Sequence, residues 1–509
     1  MEEIGTIIST LESPSPSRLD FVVNKEKVSL HRGQFIQADY SEGTLIALIT
    51  DLIKTNKYFE RADSVKEFEA NGSKLFEQFP VNEWEYLVAR CKPLGVFKDG
   101  FVKRTTHPVS PGTKVCLADK EKLKVFLGLK DKGIHLGDVE HHGLKLELSM
   151  NRLIKKHLAI LGISGCGKSH SVTVLLEELL ERNKEDGRIA ALLFDVHGEY
   201  THLAEPNPKG KDFSSKVNLV NANEITIAVP KLSVFMLSSI VPEMGSIQRR
   251  ELGRIIDRLQ KQMRDGLGPY GFNEIKAEIA KDKEVKENTA QALIGWINEL
   301  ESMNLFGRTD NPSIQELVQP GTLTIIDLSD LINLKKKQTI VTYFLQKLFN
   351  DRRKGFCAPF IAIIEEAHQF APEKASRESA ISKSIIQTIA REGRKFLAGI
   401  CLISQRPVQL STTALSQCNT HLIMKVSNPY DLDHIGKSSE SLDRQSLDMI
   451  SSLRVGEALL VGEATNFPVF FKVRQRKSRE SRHEKTLEEA AFEFEEKTKA
   501  RNEEAKEFI

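Results

Sequence analysis

A glycine-rich run at residues 162–169 constrains the fold of this chain more than any other feature. It follows the spacing G-x-x-x-x-G-K-[ST], with an apolar stretch at 157–161 before it and a helical pattern after it. Glycines at these positions let backbone N–H groups approach phosphate oxygens, and the start of a helix adds its positive dipole end. The run therefore predicts a strand, a phosphate-binding loop and a helix, in that order.

The residues of this run have separate predicted roles. The Lys168 ammonium is placed to contact the β- and γ-phosphates of a nucleotide, and the Ser169 hydroxyl to coordinate Mg²⁺. The segment 183–186 resembles a guanine-reading motif, but it precedes the second strand and cannot line a base pocket at the far end of the sheet. We therefore expect ATP with Mg²⁺. The predicted nucleotide-binding residues are Gly162, Ile163, Ser164, Gly165, Cys166, Gly167, Lys168, Ser169 and His170.

Length and composition limit the class of protein. A chain of 509 residues can form about two to four domains. The 72 Lys and Arg residues nearly balance the 70 Asp and Glu residues, so any nucleic-acid binding must come from local patches. The 6 cysteines lie far apart, which argues against zinc or disulfides and favours a reducing compartment. No apolar run reaches the roughly 18 residues of a spanning helix, so we expect a cytoplasmic protein without membrane insertion.

The pattern of strands and helices changes along the chain. Short apolar runs separated by turn residues come first and indicate a small β-barrel. Strands then alternate with helices, which is typical of a parallel-rich sheet with covered faces. We therefore predict an α/β fold, with a RecA-like core that carries a partly helical insertion. The predicted limits are 1–122 for the barrel, 123–150 for connector strands, 151–200 and 320–471 for the core, 201–319 for the insertion and 472–509 for a charged helical tail.

A second acidic motif follows a strand-like apolar run. Residues 360–364 have the composition of a buried strand, and Glu365 and Glu366 follow at its carboxyl end, where open α/β sheets bind ligands. Adjacent side chains on extended backbone point to opposite sides, so the two carboxylates can have different tasks. We assign Glu365 to Mg²⁺ through water, and Glu366 to the attacking water of phosphoryl transfer.

Two more polar residues follow apolar runs. Asp195 comes after 190–194, and it either orients water near the metal or caps a turn together with Glu199. Gln405 comes after 399–404 and is either a γ-phosphate sensor or an ordinary polar strand end. Both alternatives stay open for each residue.

Basic residues form one pair and two looser clusters. Arg391 and Arg394 share a face of a predicted helix, either as surface residues or as arginine fingers that reach the nucleotide of a neighbouring subunit. The clusters are either solvated or in contact with phosphates. They consist of Lys374 and Arg377, and of Lys472, Arg474, Arg476, Lys477 and Arg479. The tail adds an apolar stripe that docks on its own domain or on a neighbouring subunit. The stripe consists of Leu487, Ala491, Phe494, Ala505 and Phe508.

Three histidines resemble a set of metal ligands. His135, His141 and His142 lie close in the sequence, but no carboxylate or cysteine has the spacing of a partner ligand. We therefore expect a solvated turn at this place.

Taken in order, these motifs resemble the HerA helicase and translocase family, in the HerA/FtsK branch of P-loop ATPases. The ordered set is the barrel followed by residues 162–169, 195–200, 364–368, 391–395 and 404–407. The resemblance implies a HAS-barrel at the N-terminus and hexameric rings that move double-stranded DNA through a central pore. It also implies joint action with a NurA-type nuclease in DNA end resection, in contact with the N-terminal barrel or a ring face.

The resemblance carries over to single residues. It implies that Glu366 is the catalytic base and that Arg391 is the finger in trans, with Arg394 as the second candidate. Glu365 departs from the aspartate of many related ATPases, but its longer side chain still reaches a hydrated metal.

Two other functions stay open. A related ring ATPase pumps a protein or a conjugative plasmid strand, and a nucleotide-dependent switch only assembles partners. The lack of a spanning segment in the sequence counts against the first of these, and the exchange Glu366→Gln separates the second from a motor.

Overall fold

The computed structural model describes residues 2–24, 29–56, 66, 85–208, 210–376, 379–439, 442–479 and 487–507. The strands are, in chain order, β1 (Glu3–Ile7), β2 (Leu19–Val23), β3 (Phe35–Tyr40), β4 (Gly43–Asn56), β5 (Glu85–Lys98), β6 (Phe101–Lys103), β7 (Lys114–Leu117), β8 (Ile134–Val139), β9 (Leu144–Leu148), β10 (Leu158–Leu161), β11 (Ala190–Asp195), β12 (Val217–Asn221), β13 (Ile227–Ala228), β14 (Phe306–Gly307), β15 (Leu323–Asp327), β16 (Phe360–Ile364), β17 (Ala398–Ser404), β18 (Thr420–Ile423), β19 (Glu457–Gly462) and β20 (Val469–Val473). The α-helices are α1 (Lys120–Leu127), α2 (Met150–Ile154), α3 (Lys168–Glu181), α4 (Val234–Ile240), α5 (Ser246–Gln262), α6 (Phe272–Lys281), α7 (Glu287–Ser302), α8 (Ile314–Leu317), α9 (Leu334–Arg353), α10 (Ala367–Phe370), α11 (Lys383–Phe396), α12 (Thr412–Leu415), α13 (Pro429–Ser438), α14 (Arg444–Ser451) and α15 (Leu487–Glu507).

These elements belong to two compact units that each combine distant parts of the chain. The first unit consists of Met1–Ile154, Leu158–Gly167 and Asn419–Arg474. The second consists of Lys155–His157, Lys168–Cys418 and Gln475–Ile509.

The predicted N-terminal barrel lies in the first unit. Its strands follow the order β2-β1-β7-β3-β4-β5, and pairing of β2 with β5 closes the ring, while β6 extends β5. Apolar side chains such as Ile4, Phe21 and Val115 are fully buried in its core. Each of these six strands pairs with two neighbours over the residues that the structure describes, and this closure is how small barrels satisfy their backbone groups.

The first unit also contains a run of sheet that includes the predicted connector strands. Its order is β10-β18-β19-β20-β8-β9, with β10 parallel to β18 and the other pairs antiparallel. The connector strands β8 and β9 thus extend a sheet that begins with the strand before the glycine run.

The second unit is built on a parallel run of sheet in the order β12-β15-β11-β16-β17. Strands β11, β16 and β17 are buried along their whole length, as their apolar sequences predict. Register places Phe194 beside Ile364 and Ile364 beside Leu402, so the three carboxyl ends lie at one edge. The predicted α/β fold class with a parallel-rich sheet and a preceding barrel is confirmed.

The region predicted as an insertion contains both strand and helix. Helices α4–α7 supply its helical part, whereas β12 joins the edge of the parallel sheet. We predicted no strand there, because an edge strand with one buried residue, Val220, carries a weak pattern. The domain limits themselves stay a prediction.

The segment that leads into the tail is attached to helix α3. Glu177 on α3 is 0% exposed, and its Oε1 accepts the backbone N–H groups of Lys477 and Ser478 and the Ser478 hydroxyl, all at 2.7 Å. Lys477 Nζ lies 2.5 Å from Glu181 Oε2, and Arg479 lies 3.9 Å from Glu205. Two members of the second basic cluster are therefore paired with carboxylates of their own chain.

The tail helix α15 has exposed side chains over the part that the structure describes. Leu487 is 87% exposed and Phe494 is 72% exposed, so this part of the predicted stripe does not dock on its own domain. The side chains of Ala505 and Phe508, like the predicted basic residue Arg377, lie outside the described residues. Among the described helices, none has the length and apolar character needed to cross a membrane.

A buried histidine connects the barrel strand β3 to the turn between β8 and β9. His142 is 7% exposed, and its Nε2 accepts the backbone N–H of Phe35 at 2.9 Å. Burial lowers the pKa of His142 to about 4, so the ring is neutral at physiological pH. Its neighbour His141 stacks on His31, with ring centroids 4.2 Å apart. The expectation of a solvated turn is therefore wrong for His142, which forms part of the core.

We predict that His142 makes the stability of the first unit depend on pH. The folded pKa lies below the unfolded one, so the unfolded chain binds the proton first and stability falls as the pH drops from about 6.5 toward 4. When the pH falls from 7 to 5, protonation linked to His142 should lower the free energy of unfolding by about 2 kcal/mol. Urea unfolding followed by circular dichroism should show that loss in the native chain, and a smaller loss in His142→Gln.

The control for this measurement is His107→Gln, because His107 is exposed. That variant should keep the pH dependence of the native chain. Equal losses in the native chain and in His142→Gln would contradict the assignment.

Candidate nucleotide-binding site

The glycine run forms a loop between β10 and α3. Gly165 has a φ of 74° and Gly167 a φ of 102°, a left-handed backbone region in which any side chain would be strained. The loop is held within the first unit by two backbone hydrogen bonds: Ile163 N–H donates to the Lys425 carbonyl at 3.0 Å, and Gly456 N–H donates to the Cys166 carbonyl at 3.2 Å. The loop therefore has the backbone conformation that its glycines predict.

Helix α3 begins at Lys168, directly after this loop, and carries the next predicted residues in its first turn. The Ser169 hydroxyl donates a hydrogen bond to the carboxylate of Glu199. Glu199 follows β11 and was not among the predicted site residues, although it lies inside the motif 195–200. The structure thus adds one carboxylate to the predicted set.

Asp195 organises the turn that carries Glu199. Its Oδ1 accepts the N–H groups of Gly198 at 2.7 Å and of Glu199 at 3.1 Å, and its Oδ2 accepts that of Tyr200 at 2.9 Å. Asp195 is 0% exposed, and its carboxylate accepts three backbone N–H groups, which is the pattern of a turn cap. This geometry favours the turn-capping alternative, and a role toward water stays a prediction.

Glu365 lies next to Asp195 and is also buried. Its Oε2 accepts the N–H groups of Val196 at 2.7 Å and of His197 at 3.2 Å. Burial, and then the charge of Asp195, raise the pKa of Glu365 well above its usual range, because two buried carboxyls in contact cannot both ionise easily. The predicted role of Glu365 toward Mg²⁺ stays a prediction.

Glu366 has a different environment from Glu365. It is 6% exposed, with a φ of 47° at the end of β16, and left-handed backbone of this kind in a non-glycine residue is concentrated at functional sites. Burial raises the pKa of Glu366, while the charge of Lys168 and a hydrogen bond from the Gln405 side chain act in the opposite direction. The structure therefore brings Lys168, Glu366 and Gln405 together, and the roles assigned to them stay predictions.

The two oxygens of Glu366 face two histidines. Oε2 lies 3.1 Å from His368 Nδ1, and Oε1 lies 3.8 Å from His197 Nε2. His368 Nδ1 also lies 3.2 Å from the Ser404 hydroxyl, and burial lowers the pKa of His368 to about 4. Within the described chain, Glu366 Oε2 is buried and accepts no hydrogen bond. We did not predict either histidine as a site residue, although both lie inside the quoted motifs.

The paired arginines lie on helix α11, away from these carboxylates. Both are exposed, and neither forms an ion pair with any residue that the structure describes. Arg391 lines a cavity of about 510 Å³ together with Phe235 and Gln387. Burial and the nearby Arg394 charge lower the pKa of Lys156. The described chain leaves both guanidinium groups available for an external partner, and the finger role stays a prediction.

The oxygen groups around Ser169 fit a magnesium ion that is only partly held by protein. Hydroxyl and carboxylate oxygens are the ligands that Mg²⁺ prefers, and it commonly keeps several waters and binds substrate phosphates. In the described part of the chain, no group of three or more His, Cys, Asp or Glu side chains could hold a metal ion alone. The arrangement is thus suited to a metal that arrives with its nucleotide.

Comparison with known proteins gives matches over most of the chain. The family model for the central domain of helicase HerA matches residues 134–348. The protein named probable helicase MJ1565 of Methanocaldococcus jannaschii is 28% identical over 90% of this chain and 89% of its own. The DNA double-strand break repair helicase HerA of Saccharolobus solfataricus is 27% identical over 87% of each chain.

A solved structure gives a weaker match. VirB4 of Thermoanaerobacter pseudethanolicus aligns with 68% of this chain and 98% of its own, at 15% identity and a TM-score of 0.49, too low to bear on function. The family model and the relatives confirm the resemblance inferred from the motifs. The chain is thus similar to the HerA helicases over most of its length, and residues 134–348 match the model of their central domain.

Proposed function

We propose that this chain is an ATP-driven translocase that acts on double-stranded DNA in double-strand break repair. The observation that carries the proposal is the buried Glu366 carboxylate, which lies near Lys168 and has one oxygen, Oε2, without a hydrogen bond in the described chain. Such an oxygen can accept a proton from a water placed beside a γ-phosphate. The cargo is inferred from relatives that are named DNA double-strand break repair helicases.

The residues of the site divide the work of hydrolysis. The loop amides and Lys168 bind the phosphates, and Ser169 contributes its hydroxyl to Mg²⁺, which neutralises phosphate charge when bound. Glu366 accepts the proton of the attacking water. Gln405 donates to Glu366, and His368 lies against it, so both fix the orientation of the base. Catalysis is then mainly positioning and charge stabilisation, as phosphoryl transfer requires.

The nucleotide site of one chain can be completed by an arginine from a neighbouring subunit in a ring. We infer a homo-hexamer in which Arg391, or else Arg394, reaches the nucleotide of the neighbouring subunit. In support, both guanidinium groups are exposed and have no ion-pair partner in the described chain. Duplex DNA passes through the ring, and a NurA-type nuclease binds the N-terminal barrel or a ring face.

Replacing the base should separate nucleotide binding from hydrolysis. We expect Glu366→Gln to bind ATP with nearly native affinity but to hydrolyse it at least about 100-fold more slowly, because the amide cannot take the proton. In the native chain, hydrolysis should stop as the pH falls through the raised pKa of Glu366, at a higher pH than for an exposed glutamate. Steady-state rates measured from pH 4.5 to 8, with and without duplex DNA, test both points.

Two results would contradict this assignment. One is Glu366→Gln hydrolysing ATP at the native rate. The other is that duplex DNA does not stimulate ATP hydrolysis by the native chain. That result would exclude the proposed translocation on DNA.

A mixing experiment tests the arginine finger. Arg391→Ala and Glu366→Gln should each be inactive alone, with a loss of about 10³-fold or more for the arginine variant. In mixed rings, an intact Glu366 in one subunit meets an intact Arg391 from its neighbour, so part of the activity should return. Mass measurement with and without ATP and duplex DNA gives the ring size in the same samples.

Arg394→Ala is the matched control, because Arg394 lies one turn away on the same helix face. If Arg394→Ala shows the loss and the recovery instead, Arg394 is the finger. A monomer under all conditions, or no recovery for either variant, would exclude a finger in trans.

A further inference from the structure

Near the first turn of α3, Glu199 is the acidic residue that contacts the predicted metal ligand among the residues that the structure describes. The Ser169 hydroxyl donates to the Glu199 carboxylate. Glu365 is oriented differently, since its Oε2 accepts the N–H groups of Val196 and His197. The acid predicted from the second motif and the acid that meets Ser169 are therefore different residues.

The turn that carries Glu199 is held independently of the Glu199 side chain. Asp195 accepts the backbone N–H groups of residues 198, 199 and 200, and the Glu199 carbonyl lies 2.9 Å from His202 Nδ1. Tyr200, the next residue, is 1% exposed. Because the backbone is fixed in this way, capping does not require the Glu199 carboxylate, which is free to act on Ser169.

We propose that Glu199 is a positioning residue for the magnesium ion: it holds the Ser169 hydroxyl before nucleotide binds, and binds the hydrated metal when Mg²⁺ arrives with ATP. The inference rests on the proposed ATP-binding function and adds a residue to it. The donor set fits, because a hydroxyl and a carboxylate at hydrogen-bond distance share the hard oxygen chemistry of a hydrated Mg²⁺ site.

The negative charge of Glu199 should affect nucleotide binding in opposite ways with and without metal. In the absence of metal, a carboxylate beside Ser169 repels the phosphates that bind at the start of α3. When Mg²⁺ is present, the same carboxylate attracts it and strengthens nucleotide binding. Glu199 therefore makes nucleotide affinity more dependent on the metal than the glycine loop and Lys168 would make it alone.

The test compares Glu199→Gln with the native chain by anisotropy of a fluorescent ATP analogue, in EDTA and in Mg²⁺. In EDTA the variant should bind at least about threefold more tightly, because repulsion is removed. Its affinity for Mn²⁺ in the presence of ADP, measured by electron paramagnetic resonance, should fall about tenfold or more. Neither readout depends on hydrolysis.

Three further variants make the result specific. Glu178→Gln removes the same charge from α3 at 9 residues from Ser169, about 14 Å along the helix, and should behave as native. Glu199→Asp keeps the charge and should keep weak binding in EDTA. In a Ser169→Ala background, Glu199→Gln should change Mn²⁺ affinity less than it does in the native chain. The reason is that substitutions at two residues that act together do not have additive effects.

Equal responses to metal in Glu199→Gln and the native chain, or weaker binding of the variant in EDTA, would overturn the role of Glu199. A native chain that does not bind the ATP analogue with Mg²⁺ would instead overturn the proposed function. The two failures are therefore distinguishable.

Discussion

The parallel pairing of β11, β16 and β17 is the constraint on which the site depends. These strands are buried throughout, so their register is set by packing on both faces, and a shift by one residue would turn the residues that follow them away from the edge. Because parallel strands end at the same edge of the sheet, residues that follow them come close together even though they are distant in sequence. Glu366 and Gln405, which follow neighbouring strands, are joined by a hydrogen bond in this way.

The concentration of acid at this edge is the second constraint. Asp195, Glu365 and Glu366 are each buried, and Glu199 adds a fourth carboxyl beside them. Burial and mutual repulsion raise the pKa of Glu365 most, while Lys168 and Gln405 act against that effect at Glu366. Neighbouring glutamates in one motif thus have pKa values raised to different extents, because one faces another acid and the other faces a lysine.

The sequence predicted the parts of the fold that local rules control. The glycine run needs its spacing, and the strand before Glu365 is an uninterrupted apolar stretch, so both could be placed from residues alone. Strand β12 could not, because only Val220 in it is buried. His142 and Glu177 were missed for a different reason: each is a polar residue whose partner, Phe35 or Ser478, is far away in the chain. Burial of such residues depends on tertiary contacts that no local pattern encodes.

The same limit applies to Glu199, for which the sequence indicates only a turn role. Its spacing from Asp195 suggests a cap, and in the structure the carboxylate of Asp195 accepts the N–H groups of residues 198, 199 and 200. What distinguishes Glu199 is its contact with Ser169 at the start of α3, 30 residues away in sequence, where the helix dipole favours an anion. A nucleotide must therefore either displace this charge or arrive with a cation that compensates for it.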